Sequence, residues 1–407
     1  MLGSSLNVAV IDGDVPYPTN SGKRLRSLNL VLPLARRHRI TYIARCASAA
    51  AGHEAADYLS RQGIHPIMVE APLSAKNGVG FLARLAQNLA SPLPYSVSSH
   101  FSGKMRVAVA AHAATEPVDL WQLEWSGYRY CTQGLQGPTV MQAHNVDSLI
   151  WQRYAETEPN ILKRAFLREQ WRKMHRFEQR AFQSVTRIVS VSEPDAEMAR
   201  KEFGTLPIDV VDNGVDVGFF RDVLPDRTSH QVLFLGALDW RPNIDAIAVL
   251  LDKVFPLLRA RVPQASLAIV GRSPSQALAA RIDQTPGVVL HADVPDVRPH
   301  MAASAAMAVP LRVGGGSRLK IIEALAAGLP VVSSAVGAEG LHIVPGTDYR
   351  LADTPEQMAD ALVAILRTDR PTANEMDAVR ARVAQRYDWP LLAERLEQTW
   401  LRAAARL

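Results

Sequence analysis

The sequence predicts an α/β protein made of two Rossmann-like domains in series, each built on a parallel sheet. Short apolar runs alternate with Ala-, Leu- and Arg-rich stretches, which is typical of parallel strands joined by crossover helices. The same alternation begins again after an irregular stretch at 207–230. With 407 residues the chain is too long for one ordinary core, since a domain takes about 150 residues.

The first predicted domain opens with a strand at 6–11, followed by a Gly/Pro/Asn turn and a helix from Gly22. A doubly wound domain begins in this way, with a ligand crevice at the carboxyl end of the strand. The turn fails the spacing of a nucleotide-triphosphatase P-loop, because Tyr17 stands where the first glycine is required and Arg24 replaces the Ser or Thr. Five more runs of strand length follow, at 40–46, 64–69, 118–124, 138–144 and 187–192.

The second predicted domain repeats the pattern after the junction at 207–230. Its strands are predicted at 231–238, 266–271, 287–294, 306–311 and 330–336. The chain closes with an amphipathic helix, which we expect to pack back on the first domain. The predicted boundaries are therefore 1–207, 208–385 and 386–407. A cleft between two such domains is the expected ligand site.

The composition is that of a globular protein and gives no indication of a nucleic-acid partner. Hydrophobic residues make up 48% and charged residues 21%, and a net charge of +5 is too mild to indicate nucleic acid. The two cysteines, Cys46 and Cys131, are far apart, which favours a reducing compartment. Asp12 and Asp14 interrupt the first apolar run, so we expect no signal peptide, and no run approaches the length of a membrane span. These features predict a cytoplasmic protein, with peripheral contact at the inner face of the cell membrane left open.

The most informative stretch is 310–341. Three glycines at 314–316 follow a predicted strand and lead into a helix predicted over 318–327, with Ser317 as its N-cap and Gly328 just beyond its end. A glycine-rich turn at a helix N-terminus exposes backbone N–H groups and the positive end of the helix dipole. This arrangement suits a phosphate.

Lys320 and Glu323 lie three residues apart and therefore share one face of that helix. A cation near the glycines can meet a pyrophosphate, and a carboxylate one turn further can accept hydrogen bonds from a ribose diol. The alternative interpretation of the same spacing is a solvated ion pair on a helix surface.

The stretch 313–341 resembles the donor-nucleotide segment of retaining GT-B glycosyltransferases of the family-four type (glycosyl transferases group 1), in the subgroup of exopolysaccharide and sugar transferases. Such enzymes have two Rossmann-like domains whose parallel sheets face a central cleft, and they move a sugar from a nucleotide-sugar to an acceptor. The similarity extends to four other stretches, at 142–153, 210–220, 234–247 and 294–312.

The resemblance implies a role for several residues. Glu323 matches the glutamate that binds the donor's ribose, and Lys320 and Arg318 lie where basic groups neutralise the diphosphate leaving group. His144 resembles the amino-domain histidine that faces the donor sugar. Gly22 resembles the glycine of a first loop that closes over the phosphates.

The sequence departs from the family pattern at two positions. The family commonly has a second glutamate where this chain has Gly315. The backbone N–H groups that precede Ser317 are expected to serve in its place, and they are those of Gly314, Gly315 and Gly316. The family often has an arginine where this chain has Ala237, and Arg241 or Lys320 is expected to take over phosphate neutralisation.

Two further glutamates are candidates for contact with acceptor or donor sugar. Glu124 ends the predicted strand at 118–124, and Glu339 lies in the GAEG turn. Each has a purely structural alternative, as a packed residue or a turn cap.

The resemblance implies a hexosyltransferase that needs neither metal nor cofactor, with a saccharide or lipid-linked acceptor in bacterial exopolysaccharide or lipopolysaccharide biosynthesis. No cluster of His, Cys or Asp has metal-ligand spacing. Two alternatives stay open: a nucleotide-sugar epimerase of the same fold, and a degenerate nucleotide-binding or scaffold protein. A phosphorylase is disfavoured because it requires a much longer chain.

The stretch 161–182 is predicted to be a basic amphipathic helix. It holds seven Lys or Arg against two Glu, with an apolar stripe at helical spacing that includes Leu167, Trp171 and Met174. One interpretation is docking on an anionic membrane beside a lipid-linked acceptor. The other is a surface helix whose stripe packs on the first domain.

Overall fold

The chain forms two compact units. The first comprises Met1–Asp212 and Leu392–Leu407, and the second comprises Asn213–Leu391. The computed structural model describes residues 5–19, 21–313 and 318–405. The divisions in the structure thus fall a few residues after the boundaries predicted from the sequence.

The first unit is built on a parallel sheet, which has seven strands within the described ranges, in the order β3-β2-β1-β4-β5-β6-β7. Its central strands are apolar runs buried on both faces, as parallel sheets covered by helices require. The strands are β1 (Asn7–Asp12), β2 (Arg39–Cys46), β3 (His65–Glu70), β4 (Leu120–Leu123), β5 (Thr139–Ala143), β6 (Arg187–Ser190) and β7 (Ile208–Val210).

The seventh strand corrects the sequence analysis, which treated 207–230 as an irregular junction. β7 pairs with β6, and Arg187 forms an ion pair with Asp209 at 2.9 Å across the two strands. Three residues with a central aspartate are too short and too polar to be recognised as a strand.

Helices cover this sheet, and several of them begin at a side-chain cap. The hydroxyl of Ser21 accepts a hydrogen bond from the backbone N–H of Arg24, which fixes the start of the first helix at Gly22. The helices are α1 (Gly22–Val31), α2 (Ala49–Arg61), α3 (Gly78–Leu89), α4 (Tyr95–His100), α5 (Gly103–Thr115), α6 (Asp147–Thr157), α7 (Ile161–Gln183) and α8 (Glu193–Phe203), with short 3-10 turns at Leu34–Arg36 and Ser126–Cys131.

The second unit holds another parallel sheet, with six strands in the part of the chain that the structure describes, in the order β10-β9-β8-β11-β12-β13. The strands are β8 (Gln231–Leu235), β9 (Ser266–Gly271), β10 (Val288–Ala292), β11 (Ala306–Val309), β12 (Val331–Ser333) and β13 (Arg350–Leu351). The helices are α9 (Val217–Phe220), α10 (Arg241–Val249), α11 (Phe255–Arg261), α12 (Gln276–Asp283), α13 (Arg298–Ala302), α14 (Leu319–Ala326), α15 (Ala335–Ala338), α16 (Pro355–Arg367), α17 (Ala373–Tyr387) and α18 (Trp389–Ala404), and Leu250–Val254 is one π-helical turn.

The later part of α18 belongs to the first unit. Trp400 is fully buried there, and its indole N–H donates to the side-chain oxygen of Gln122 at 2.6 Å. Glu397 lies 2.8 Å from the imidazole of His38. The first unit is therefore assembled from two separate parts of the chain.

Each sheet has a topological switch point, where the chain changes direction across the sheet. In the first unit it lies between β1 and β4, and in the second between β8 and β11. Ligands of open α/β sheets bind outside the carboxyl ends of the strands at such a point. The candidate site residues are best sought at these two edges.

Candidate active site

The first-unit cluster, defined as Asp12, Lys23, Glu124 and His144, lies at the carboxyl ends of β1, β4 and β5. Asp12 is buried, forms an ion pair with Lys23 and accepts a hydrogen bond from the hydroxyl of Tyr42 at 2.8 Å. Burial raises the pKa of Asp12, and the nearby Lys23 opposes that rise. The lysine of the opening turn is thus held by a strand-end carboxylate.

Glu124 is a buried carboxylate with both oxygens engaged inside the unit. Ser27 donates to Oε2, and the side-chain amide of Gln122 donates to Oε1 at 2.6 Å. Burial by itself raises the pKa of Glu124, but His144, Ser27 and Lys23 outweigh burial and lower it to about 2. The side chain is therefore ionised at neutral pH.

His144 follows the last residue of β5 and is half-buried. Its Nε2 lies 3.7 Å from Oε2 of Glu124, which is too long for a hydrogen bond, and no other partner of Nε2 lies among the described residues. The sequence analysis named Glu124 and His144 separately. The structure brings them together, because adjacent parallel strands end at the same edge.

Gly22 is exposed at the first position of α1. The cations that follow it are engaged nearby: Lys23 bonds Asp12, and Arg24 forms two hydrogen bonds to Asp14, at 2.7 and 2.8 Å. Helix α1 thus presents its amino end at the same edge as the first-unit cluster.

The second-unit cluster, defined as Asn243, Arg318, Lys320, Glu323 and Glu339, lies around the amino end of α14. The ammonium of Lys320 donates to the side-chain oxygen of Asn243 at 2.8 Å. Burial lowers the pKa of Lys320 to about 7, and the positive charge of Arg318 adds to this effect. Burial also raises the pKa of Glu323 to about 7. These surroundings differ from those of a solvated ion pair.

Arg318 occupies the N-cap position that the sequence analysis gave to Ser317. Its φ of +48° is left-handed, which is uncommon for a residue other than glycine and is found most often at functional sites. Its guanidinium donates to the backbone oxygen of Val336 at 3.1 Å and to Glu339 at 3.0 Å. Glu339 is therefore linked to the start of α14. The predicted phosphate-binding positions Gly314, Gly315 and Gly316, together with Ser317, lie outside the described residues.

Asn243 is the member of this cluster that the sequence analysis missed. It is buried, and its amide donates to the backbone oxygen of Ala237 at 2.9 Å while its oxygen accepts from Lys320. A Cβ on Gly236 would lie 2.7 Å from the amide nitrogen of Asn243 and 2.8 Å from Nζ of Lys320, so the glycine leaves room for this pair. Arg241 begins α10 and is exposed. The sequence feature that could have identified Asn243 is a polar residue at the third position of the helix that follows β8.

Over residues 5–19, 21–313 and 318–405, no three His, Cys, Asp or Glu side chains are grouped so that they could hold a metal ion. Within the same ranges, no helix has both the length and the apolar composition that crossing a bilayer requires.

Two protein families match consecutive parts of the chain. Residues 26–219 match the family described as Glycosyltransferase Family 4, and residues 229–368 match the family described as Glycosyl transferases group 1. The chain is 33% identical over 188 residues to the phosphatidyl-myo-inositol mannosyltransferase of Mycobacterium leprae, a match that covers 43% of this chain and 47% of that protein. The chain therefore spans about half the length of that relative.

Solved structures resemble the whole chain. Sucrose-phosphate synthase from Thermosynechococcus elongatus has a TM-score of 0.70 at 17% identity, with 99% of this chain and 100% of that chain covered. Anabaena HepE in complex with UDP has a TM-score of 0.65 at 15% identity, with 97% and 99% covered, and it is also known in complex with UDP-glucose. At these identities the likeness establishes the fold alone. It confirms the predicted GT-B fold class of two parallel-sheet α/β domains.

Proposed function

We propose that this chain, which belongs to the glycosyltransferases of family 4 and group 1, transfers a hexosyl group from a nucleotide-sugar to a saccharide or lipid-linked acceptor with retention of anomeric configuration. The observation that carries the proposal is the second-unit cluster. Two cations and a carboxylate with a raised pKa stand at the amino end of a helix beside the switch point of a parallel sheet.

The donor nucleotide binds to the second unit in this proposal. Lys320 and Arg318 neutralise the diphosphate, together with the positive end of the α14 dipole. Glu323 accepts hydrogen bonds from the ribose hydroxyls, for which it must be ionised. Anabaena HepE binds UDP and UDP-glucose, which supports a nucleotide-sugar as donor and makes uridine the first base to test.

The reaction requires no carboxylate nucleophile. The bond between the anomeric carbon and the diphosphate oxygen breaks, and its electron pair leaves with the diphosphate. The acceptor hydroxyl attacks from the face that the diphosphate leaves, and its proton passes to the departing phosphate oxygen. Lys320 and Arg318 stabilise the charge that develops on the diphosphate, which is the largest contribution expected of such a site.

The first-unit cluster supplies a histidine whose environment is already ordered. The Nε2 of His144 is without a hydrogen-bond partner among the described residues, which leaves it available to a substrate group. Glu124 already accepts two internal hydrogen bonds, so we assign it to positioning the imidazole and not to binding the acceptor. Glu339 positions Arg318 in the same way.

Neutralisation by Lys320 and Arg318 supports a reaction that needs no metal and no cofactor. The test is turnover in excess EDTA against turnover with added Mg²⁺. Equal rates support the proposal, and a rate restored only by Mg²⁺ contradicts it. In this proposal the enzyme works in the cytoplasm, in surface polysaccharide synthesis. Cys46 and Cys131 are free and buried, which agrees with the reducing compartment.

Peripheral contact with an anionic membrane is part of the proposal, and α3 supports it better than α7. The stripe of α7 is used inside the first unit, where Met174 is buried. In α3, by contrast, Val79 is 83% exposed and Leu82 is 63% exposed, while Arg84 lies on the same helix. An exposed apolar helix surface with a cation on the same helix suits an interface with anionic lipid.

A nucleotide panel tests the donor site. UDP, GDP, ADP and dTDP are added to wild type, to Glu323→Gln and to Glu356→Ala, an exposed glutamate of the same unit that serves as the matched control. Ligand at 100 times its dissociation constant adds about 2.7 kcal/mol to the free energy of unfolding. We expect one nucleotide to raise the melting temperature of wild type and of the control, and not of Glu323→Gln.

Turnover separates the proposed activity from its alternatives. Release of nucleoside diphosphate that depends on an acceptor supports the transferase. An epimerised sugar without acceptor indicates the epimerase, and binding without any turnover indicates a non-catalytic protein. No shift with any nucleotide would contradict the donor site itself.

A further inference from the structure

Arg45, near the carboxyl end of β2, is a buried cation that lacks a carboxylate partner. Arg45 is only 5% exposed. Nη1 donates to the backbone oxygen of His100 at a long 3.3 Å, and Nη2 is buried without a hydrogen-bond partner. Among the described residues, no Asp or Glu forms an ion pair with Arg45.

A second buried arginine of the same unit provides the contrast. Arg26 is 1% exposed, and it donates to the backbone oxygens of Val211 and Asp212 at 2.7 Å each, with the charges of Glu124 and Asp212 nearby. That side chain is matched by the protein itself. A buried charge without such compensation is strongly unfavourable, so the different surroundings of Arg45 indicate a group supplied from outside.

The surroundings of Arg45 are aromatic and positively charged. The ring of Trp125 packs edge-on against His100 at 5.2 Å and against Tyr128 at 5.6 Å. Burial lowers the pKa of His100, although its bond to Ser96 opposes this, and the positive charges of Arg45, Lys76 and Lys23 lower it further. His100 therefore has three basic side chains in its surroundings, one of which is Arg45.

Trp125 is half-buried, and its neighbours hold the ring in one orientation. Its indole N–H donates to Asp147 at 2.6 Å, and its ring lies against Gly127, where a Cβ would come within 2.1 Å of a ring carbon. The buried strand-end carboxylates of the first-unit cluster are already used, since Asp12 bonds Lys23 and Glu124 bonds Ser27. His100 links the two groups, because its backbone oxygen accepts from Arg45 and its ring packs on Trp125. An aromatic ring and a buried cation joined in this way suit a ligand with an apolar face and an anionic group.

We propose that Arg45 binds a phosphate group of the acceptor, which is therefore a phosphorylated sugar or a phosphate-linked lipid. The planar guanidinium matches phosphate with two parallel hydrogen bonds, and Nη2 is the donor still to be satisfied. Arg45 lies at the same sheet edge as the first-unit cluster, because Ala44 pairs in register with Asp12. This inference rests on the proposed function and adds the chemical class of the acceptor.

Inorganic phosphate titrated into the full chain tests the site directly. The protein carries ¹⁵N-labelled tryptophan, and the indole signal of Trp125 is assigned with Trp125→Phe. We expect a saturable shift of that signal in wild type. Affinity should fall at least about tenfold in Arg45→Gln, as expected for the loss of charge-assisted hydrogen bonds. Arg61→Gln removes one exposed cation from the same unit and is the matched control, with unchanged affinity expected at Trp125.

Arg45→Lys guards against a variant that fails to fold, since it keeps the charge and loses the planar fork. We expect it to bind phosphate more weakly than wild type and more tightly than Arg45→Gln. No saturable shift in wild type, equal affinity in Arg45→Gln, or a loss seen only in Arg61→Gln would each overturn the proposal.

Two ligands identify the source of the phosphate. Glucose 6-phosphate and micelles of a short-chain phosphatidylglycerol are compared, with glucose and neutral micelles as controls. The tighter phosphate ligand names the acceptor type, and equal binding of the neutral controls overturns the proposal. UDP affinity is also measured on wild type. If wild type binds phosphate at this site but does not bind UDP, the result contradicts the proposed donor site alone.

Discussion

Binding of a nucleoside diphosphate to the second unit is expected to move protons, in a direction that depends on pH. Burial lowers the pKa of Lys320 to about 7 and raises the pKa of Glu323 to about 7. A diphosphate beside Lys320 favours the ammonium form and returns its pKa towards the ordinary value. A ribose diol that donates to Glu323 favours the carboxylate and lowers its pKa.

The magnitude follows from the two titrations. At pH 8 and without nucleotide, Lys320 and Glu323, each with a pKa of about 7, hold about 0.1 proton each. Binding then makes Lys320 take up about 0.9 proton and Glu323 release about 0.1. The net uptake is therefore about 0.8 proton. At pH 6 both groups are about 90% protonated, so the balance reverses to a net release of about 0.8 proton. The exchange passes through zero near pH 7.

Isothermal titration calorimetry in buffers of different ionisation enthalpy measures the number of protons exchanged. UDP is titrated at pH 6 and pH 8 into wild type, Lys320→Met and Glu323→Gln. We expect Lys320→Met to lose the uptake at pH 8 and keep the release at pH 6, and Glu323→Gln to behave in the opposite way.

The same experiment can refute the reasoning. Exchange of the same sign at both pH values, after correction for the ionisation of UDP itself, would mean that the two groups do not titrate near neutrality. An exchange that both variants leave unchanged would mean that the protons come from elsewhere, and the second-unit cluster would not be the nucleotide site.

Three further outcomes are expected. Glu124→Gln should lower the free energy of unfolding at pH 7 by about 3 kcal/mol, because the pKa of Glu124 is lowered from 4.5 to about 2 despite its burial. This contribution to stability is complete above about pH 4.5 and is lost as the pH falls through about 2. Urea titrations of the two proteins should therefore converge in acid, and a difference that is constant with pH would contradict the prediction. Gly13→Ala should lower the free energy of unfolding by about 1–3 kcal/mol, since the new Cβ would lie 1.4 Å from the hydroxyl of Tyr128. The double variant with Tyr128→Ala should lose less stability than the sum of the two single variants. Additive losses would count against this contact. Val79→Asp with Leu82→Asp should abolish sedimentation with phosphatidylglycerol vesicles while leaving UDP affinity unchanged, whereas unchanged sedimentation would remove α3 from the proposed membrane contact.

The sequence was sufficient for the order and type of most elements, since apolar runs and helical periodicity are local signals. β9 coincides with the predicted run at 266–271, and α14 lies within one residue of each predicted end. The very short β7 and β13 were missed, because two or three residues carry no periodicity.

The sites could be predicted only in part, for a physical reason. Glu323 and Lys320 share a helix, so their proximity follows from spacing. The contact of Asn243 with Lys320 joins different elements, and the pairing of Glu124 with His144 depends on strand order, which a pattern does not encode. Arg45 reads as an ordinary charged residue at a strand end. Its lack of a partner is visible only when its neighbours are known.

The divided first unit has a consequence for how the protein is made. Chains fold during synthesis with the amino-terminal part emerging first. Here the early segment up to Asp212 must wait for Trp400 and Glu397, which leave the ribosome after the entire second unit. Until then Gln122 and His38 lack their partners in α18, so the unit translated first is the one completed last. A pause or truncation before Leu392 would therefore leave a finished second unit attached to an unfinished first one, which is a form that quality-control proteases recognise.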